Sequence, residues 1–160
     1  MISEKLVKSF GFPESLKDLN LSYCFDDELG DELVMGSGCH CKQTSAKFFL
    51  YNPQNHDTVF TMDFGIKQGS NRRNPFGGKV IDESHVYIFH IKTNAKYRKT
   101  GIASYYISKV VEFTESCGMN IVALDVAPST SDTKNVIGDK NELQAFYERF
   151  SNETVKIICV

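Results

Sequence analysis

The chain has 160 residues, 41% hydrophobic and 24% charged, with a net charge of −2. That length suits one domain, residues 1–160, with a sizeable core, and the charge gives no global reason to expect nucleic acid or an anionic membrane as partner. No apolar run approaches the roughly 18 residues of a membrane helix; the start, MISEKLVKSFGF, lacks a secretory apolar core, and five cysteines without framework spacing fit the reduced thiols of a cytoplasmic protein.

Residues 2–10 predict a short helix, ended by Gly11 and Pro13. LNLSYCF (19–25) reads as a first strand. The next stretch, DDELGDEL, holds Asp26, Asp27, Glu28, Asp31 and Glu32. It is either a solvated loop or a field that attracts a cationic amine such as a polyamine, a lysine side chain or an aminoglycoside. ELVMGSG (32–38) is an ambiguous short strand. Cys39, His40 and Cys41 offer ligand atoms, but no second cluster completes a site, so no metal is expected. TSAKFFLYN (44–52) is a strand stopped by Pro53. DTVFTMDFGI (57–66) alternates, placing Thr58, Phe60, Met62, Phe64 and Ile66 on one face and Asp63 on the other.

KQGSNRRNPFGGK (67–79) is too long for a tight hairpin and is a candidate mobile loop. Its Lys67, Arg72, Arg73 and Lys79 could meet an acidic acceptor or RNA, but without interleaved aromatics they make a poor nucleic-acid footprint. A strand at 85–93, a helix at about 100–117 and a strand at 120–127 follow. PSTSDTKNVIGDKN (128–141) is a polar loop with Asn141 as a plausible N-cap, before a helix ELQAFYERF and a last strand TVKIICV. The order predicts an α/β fold with a mixed sheet, and a parallel, right-handed βαβ unit over 85–127. Ligands on such sheets bind beyond the carboxyl ends of the strands, here Thr93 and Ala127.

KYRKTGIASYY (96–106) leaves one of those ends. Lys96, Arg98 and Lys99 beside Gly101, ahead of a helix, suggest an anion cradle of free N–H groups and basic side chains. A solvated basic turn is the alternative. The chain contains no G-x-x-x-x-G-K-[ST], and its one G-x-G, Gly36 to Gly38, leads into no predicted helix. What remains is R-x-x-G-x-A at Arg98, Gly101 and Ala103, with small residues where a backbone could approach a pyrophosphate.

IKTNAKYRKTGIASYYISKV resembles the acyl-CoA segment of the GNAT superfamily of acyl-CoA-dependent N-acyltransferases, and the resemblance covers about residues 85–158. It implies a GNAT-like fold, with early antiparallel strands and then strand–helix–strand–helix–strand around a splayed parallel pair. Acetyl-CoA would be the co-substrate, with Ile91, Lys92 and Thr93 along the pantetheine arm. Arg98, Lys99, Thr100, Gly101, Ile102 and Ala103 would hold the pyrophosphate, and Asn141 would contact CoA. Tyr147, in ELQAFYERF, matches the tyrosine that protonates the departing CoA thiolate.

The departures are specific. The strand glutamate of many relatives is Tyr87 here, which leaves His85 as the first candidate base, with Glu83 or Asp63 through water behind it and His90 on the opposite face unless a bulge intervenes. The link at 128–141 is long, and Ser151–Asn152 replaces the usual glycine–aromatic pair. Relatives add a strand where this sequence has none after Val160; the early strands or a homodimer would cover that edge. The expected activity is N-acetyl transfer to a small-molecule or protein amine, and the alternative is a non-catalytic acyl-CoA-binding module.

Overall fold

The computed structural model describes residues 1–70, 79–126 and 140–160. Hydrogen bonding joins seven strands in one mixed sheet, in which the first, third, fourth, fifth, sixth and seventh strands of the chain lie side by side in that order and the second pairs with the third. Contacts group the chain into two compact units. Arg72 and Arg73, the tip of the candidate mobile loop, Ala127 and all of the 128–141 link but its last two residues lie outside the described residues.

The first unit takes Met1–Gly65 and Phe89–Lys109. It opens with α1 (Glu4–Ser9), where the Ser3 side chain caps the N-terminus by accepting from the Leu6 amide. A 3-10 turn at Glu14–Leu19 precedes β1 (Ser22–Cys24), so the first strand is shorter than LNLSYCF suggested. The stretch read as an ambiguous strand at 32–38 begins with a helical turn, α2 (Glu32–Met35). The Asp31 carboxylate accepts the Leu33 amide (2.9 Å) and Gly36 leaves the helix at φ 67°, so a cap at one end and a glycine at the other favour a helix over a strand. The short β2 (His40–Cys41), β3 (Ser45–Asn52) and β4 (Asp57–Lys67) pair antiparallel around β3.

Alternation then sorts the side chains of β3 and β4. Phe48, Phe60 and Tyr106 pack ring against ring, Phe60 and Tyr106 stacked at 4.9 Å. The adjacent residues Phe49 and Tyr51 pack with Met35, Cys24 and Cys39. Each fully buried aromatic or aliphatic side chain contributes about 1.5–3 kcal/mol relative to exposure. Tyr23 and Tyr106 both donate their hydroxyls to the Gly11 carbonyl, and Tyr105 donates to Phe10, which fixes the end of α1.

The second unit takes Ile66–Ile88 and Val110–Val160. β5 (His85–Thr93) lies in it as far as Ile88, and Val86–Ile88 pair parallel with Val122–Leu124 of β6 (Ile121–Leu124), as the βαβ reading required. β7 (Lys156–Cys159) adds a second parallel neighbour to β6. Helix α3 (Ile102–Ser116) ends where Gly118 takes φ 72°. The Gly118 amide bonds Glu115 O and the Met119 amide bonds Thr114 O, closing the last turn. The last helix, α4 (Lys140–Glu148), already includes Asn141, so Asn141 is a first-turn residue and not the N-cap.

Candidate functional site

The stretch between β5 and α3 is built by long-range tethers, all within the first unit. At the end of β5, the Asn94 amide donates to Val59 O (2.9 Å), its side-chain NH2 donates to Thr58 O (2.9 Å), and its Oδ1 accepts the Lys96 amide (3.1 Å). One 3-10 turn, Ala95–Tyr97, follows. Tyr97 donates its hydroxyl to Asp57 Oδ2 (2.8 Å) and accepts from Asn55 Nδ2 (3.2 Å). The Lys96 ammonium lies 3.3 Å from the same Asp57 carboxylate. The Tyr97 hydroxyl first, and then Lys96, hold the Asp57 carboxyl below its ordinary pKa. Lys96 therefore helps to anchor the loop to Asp57 at the start of β4.

Arg98 is extended, Lys99 takes φ 63° and Gly101 φ 79°. The Thr100 hydroxyl donates to Tyr97 O (2.6 Å) while Ser15 donates to Thr100 O (2.8 Å), so the turn is pinned on both sides. Gly101 O accepts the Tyr105 amide (2.9 Å) at the start of α3. A left-handed residue running into a right-handed helix turns successive amides toward one concavity, and the first-turn amides at Ile102 and Ala103 have no intrahelical acceptor by construction. A Cβ built on Gly101 would meet no atom within 4 Å. The glycine is thus required by its backbone angle, and the space beside it is open to a ligand. These features fit a pyrophosphate held by residues 98–103.

The remaining residues of that set divide between the units. Ile91, Lys92 and Thr93 form the half-buried end of β5. The Lys92 side chain is occupied, donating to Leu33 O of α2 (2.6 Å). In the second unit, Tyr147 on α4 is half-buried, and burial first, then Cys159, raises its phenol pKa. It stays protonated at neutral pH and is able to donate. His85 is 5% exposed, with Nδ1 2.8 Å from Glu83 O. A carbonyl only accepts, so Nδ1 is the donor in this contact.

Two other base candidates belong to the first unit. Asp63 is half-buried opposite Lys47, and burial raises its carboxyl pKa against the pull of His40 and Lys47. His90 is also half-buried; burial, then Lys47, lowers its pKa, against a hydrogen bond to the Val34 backbone. Its Nε2 is buried without a hydrogen-bond partner among the described residues.

The acidic stretch is more structural than its charge suggested. Asp27 accepts the Gly38 and Cys39 amides (both 2.9 Å), Asp26 accepts the Glu28 amide (3.0 Å), and Asp31 caps α2. Both ring nitrogens of His40 are engaged, with Gly38 O at 2.7 Å and Ser45 Oγ at 2.9 Å. No group of three metal-ligating side chains converges among the described residues. The tethers from Asn94, Tyr97 and Asp57 escaped the sequence reading. Only the first had a local signal, an Asn two residues before the amide it accepts.

No family model matches the chain, and no curated protein matches it. Among solved structures, it is similar to a transcriptional regulator from Bacillus halodurans at 15% identity and TM-score 0.43, over 70% of this chain and 61% of that one. It is also similar to an aminoglycoside antibiotic 6'-N-acetyltransferase from Acinetobacter haemolyticus, at 12% identity and TM-score 0.43, over 74% of this chain and 70% of that one. A third is the aminoglycoside N-acetyltransferase AAC(6')-Iy in complex with CoA, at 17% identity and TM-score 0.44, over 74% of this chain and 76% of that one. The chain spans less than two thirds of the length of the Bacillus halodurans regulator.

Proposed function

We propose that this protein is a GNAT-type N-acetyltransferase that moves an acetyl group from acetyl-CoA to a primary amine. The observation that supports this most is the pinned turn at 94–103, with left-handed Lys99 and Gly101 feeding the N-terminus of α3 beside open space. Arg98, Lys99 and the amides of residues 101–103 would hold the pyrophosphate, and the backbone of Ile91–Thr93 the pantetheine arm. Acetyl-CoA supplies an activated thioester. In the proposed transfer the amine nitrogen would bond to the carbonyl carbon as the C–S bond breaks, with Tyr147 as the residue to give its proton to the sulfur and the His85 imidazole or water as the group to take one proton from the nitrogen.

A non-catalytic acyl-CoA-binding module is favoured by one feature, Tyr87 in the strand position where a carboxylate base would serve. Acetyl transfer assayed against a panel of primary amines separates the two. Transfer to at least one amine supports the enzyme. Tight acetyl-CoA binding with neither transfer nor thioester hydrolysis supports the module, and absence of acetyl-CoA binding overturns both.

A further inference from the structure

In the first unit, the sheet face on which Phe49 packs against Met35 of α2 also carries a lysine and a carboxylate that do not pair. Lys47 and Asp63 are direct cross-strand partners, a placement in which opposite charges ordinarily attract. The Lys47 ammonium donates instead to Ser37 O, and Asp63 makes no hydrogen bond or ion pair among the described residues. Burial raises the Asp63 carboxyl pKa, so the ionised residue costs the fold stability that no hydrogen bond offsets.

Unsatisfied polar atoms gather at the same place. Thr61, the residue before Asp63 on that face, is fully buried, and its Oγ1 has no partner among the described residues. His90 Nε2 is buried without one as well. Stepping back along β5 and forward along β4 from the bond between the Asn94 amide and Val59 O brings His90 to about the level of Asp63. Lys47 acts on both of these groups. Burial, then Lys47, holds His90 below its ordinary pKa, so at neutral pH it adds no positive charge there. Gly65 is the next residue along the face, and a Cβ built on it would lie 3.3 Å from the ring of Phe89, a residue 47% exposed.

A half-buried carboxylate without a cation, beside an exposed aromatic ring, suits an ammonium group. Lys47 and Lys92 both bear on His90 electrostatically, so a second positive charge on the ligand would be repelled. We propose that Asp63 binds the ammonium of a small monoamine whose apolar body lies against Phe89. On the acetyltransferase reading, from which this second step follows, that amine is the acetyl acceptor and polyamines are poor ones. His90 directly precedes Ile91–Thr93, the backbone assigned to the pantetheine arm, so the amine would sit beside the same strand.

The test is an amide-resolved NMR titration of the full chain without acetyl-CoA, using benzylamine, its uncharged analogue benzyl alcohol and the diamine putrescine. The inference predicts that benzylamine shifts the amides of Thr61, Asp63 and His90, and that the other two bind at least about tenfold more weakly. Asp63→Asn keeps the shape of the side chain and removes its charge, so it should bring benzylamine down to the affinity of benzyl alcohol, with a thermal melt confirming that the variant is folded. Amides that stay in place, equal affinity for the alcohol or for putrescine, or native affinity in Asp63→Asn would overturn the inference. A site silent to all three probes in a protein that acetylates a primary amine removes this inference alone. A site that takes benzylamine in a protein with no affinity for acetyl-CoA removes the acetyltransferase reading alone.

Discussion

Tyr147 and Asp63 illustrate opposite uses of a partly buried proton. Burial keeps the Tyr147 hydroxyl protonated, the form a general acid needs. Tyr147→Phe keeps the ring and removes only that donor, so kcat and kcat/KM should fall together by about two orders of magnitude, roughly 2.7 kcal/mol. Single-turnover transfer at saturating acetyl-CoA reads this directly. Unchanged turnover would leave Tyr147 a packing residue.

For Asp63, burial raises the folded pKa above the unfolded value. A raised carboxyl is more easily ionised in the unfolded chain, so its charge penalises the folded state once pH has climbed past the unfolded value into the neutral range. Asp63→Asn should therefore raise Tm at pH 7, with the gain vanishing near pH 3, where the native carboxyl is protonated too. Thermal melts at the two pH values check it, and a loss at pH 7 would show that Lys47 and His40 outweigh desolvation. Asp27 and Asp57 have the reverse sign. Backbone amides, led by that of Gly38, lower the first, and Tyr97 lowers the second. Their contributions are full above the unfolded value and drain away as pH falls through the lower folded ones.

At the scale of elements, the turn between β5 and α3 depends on Asn94, whose side chain makes both a local and a long-range bond. Asn94→Ala should cost about 1–2 kcal/mol in urea unfolding and weaken acetyl-CoA binding as well, because the cradle loses its anchor to β4. A variant with reduced stability but native affinity would show that the cradle holds its form without that tether. Elements with sustained periodicity were legible in the sequence: β4 through its alternation, α3 through apolar residues at helical spacing, and the βαβ order through both. The α2 turn was not, because four helical residues are too few for a period and its identity rests on Asp31 and Gly36. The strand β2 escaped because its two residues are defined by pairing with β3. In the candidate site, R-x-x-G-x-A was legible because it is contiguous. The Asp57–Tyr97 bond joins residues 40 positions apart, and no local pattern announces it.

Taken as a whole molecule, the near-neutral chain pairs some opposite charges, as at Lys96 and Asp57, and concentrates others. Acids cluster at 26–32, where three of the five serve backbone amides, and basic residues gather at the turn before α3. Those cations accompany backbone donors, the pairing that anion binding requires. The acetyltransferase reading depends on that turn, and Gly101 is its most direct point of test. At φ 79° with open space beside it, a side chain there strains the backbone by about 1–2 kcal/mol and also intrudes where the pyrophosphate would lie. Calorimetric titration of acetyl-CoA into the native protein and into folded Gly101→Val is the most direct measurement. The account predicts saturable binding to the native chain and a loss of about 10²-fold or more in the variant, roughly 2.7 kcal/mol, exceeding its loss of stability. No binding to the native protein, or equal affinity in the two, would contradict it.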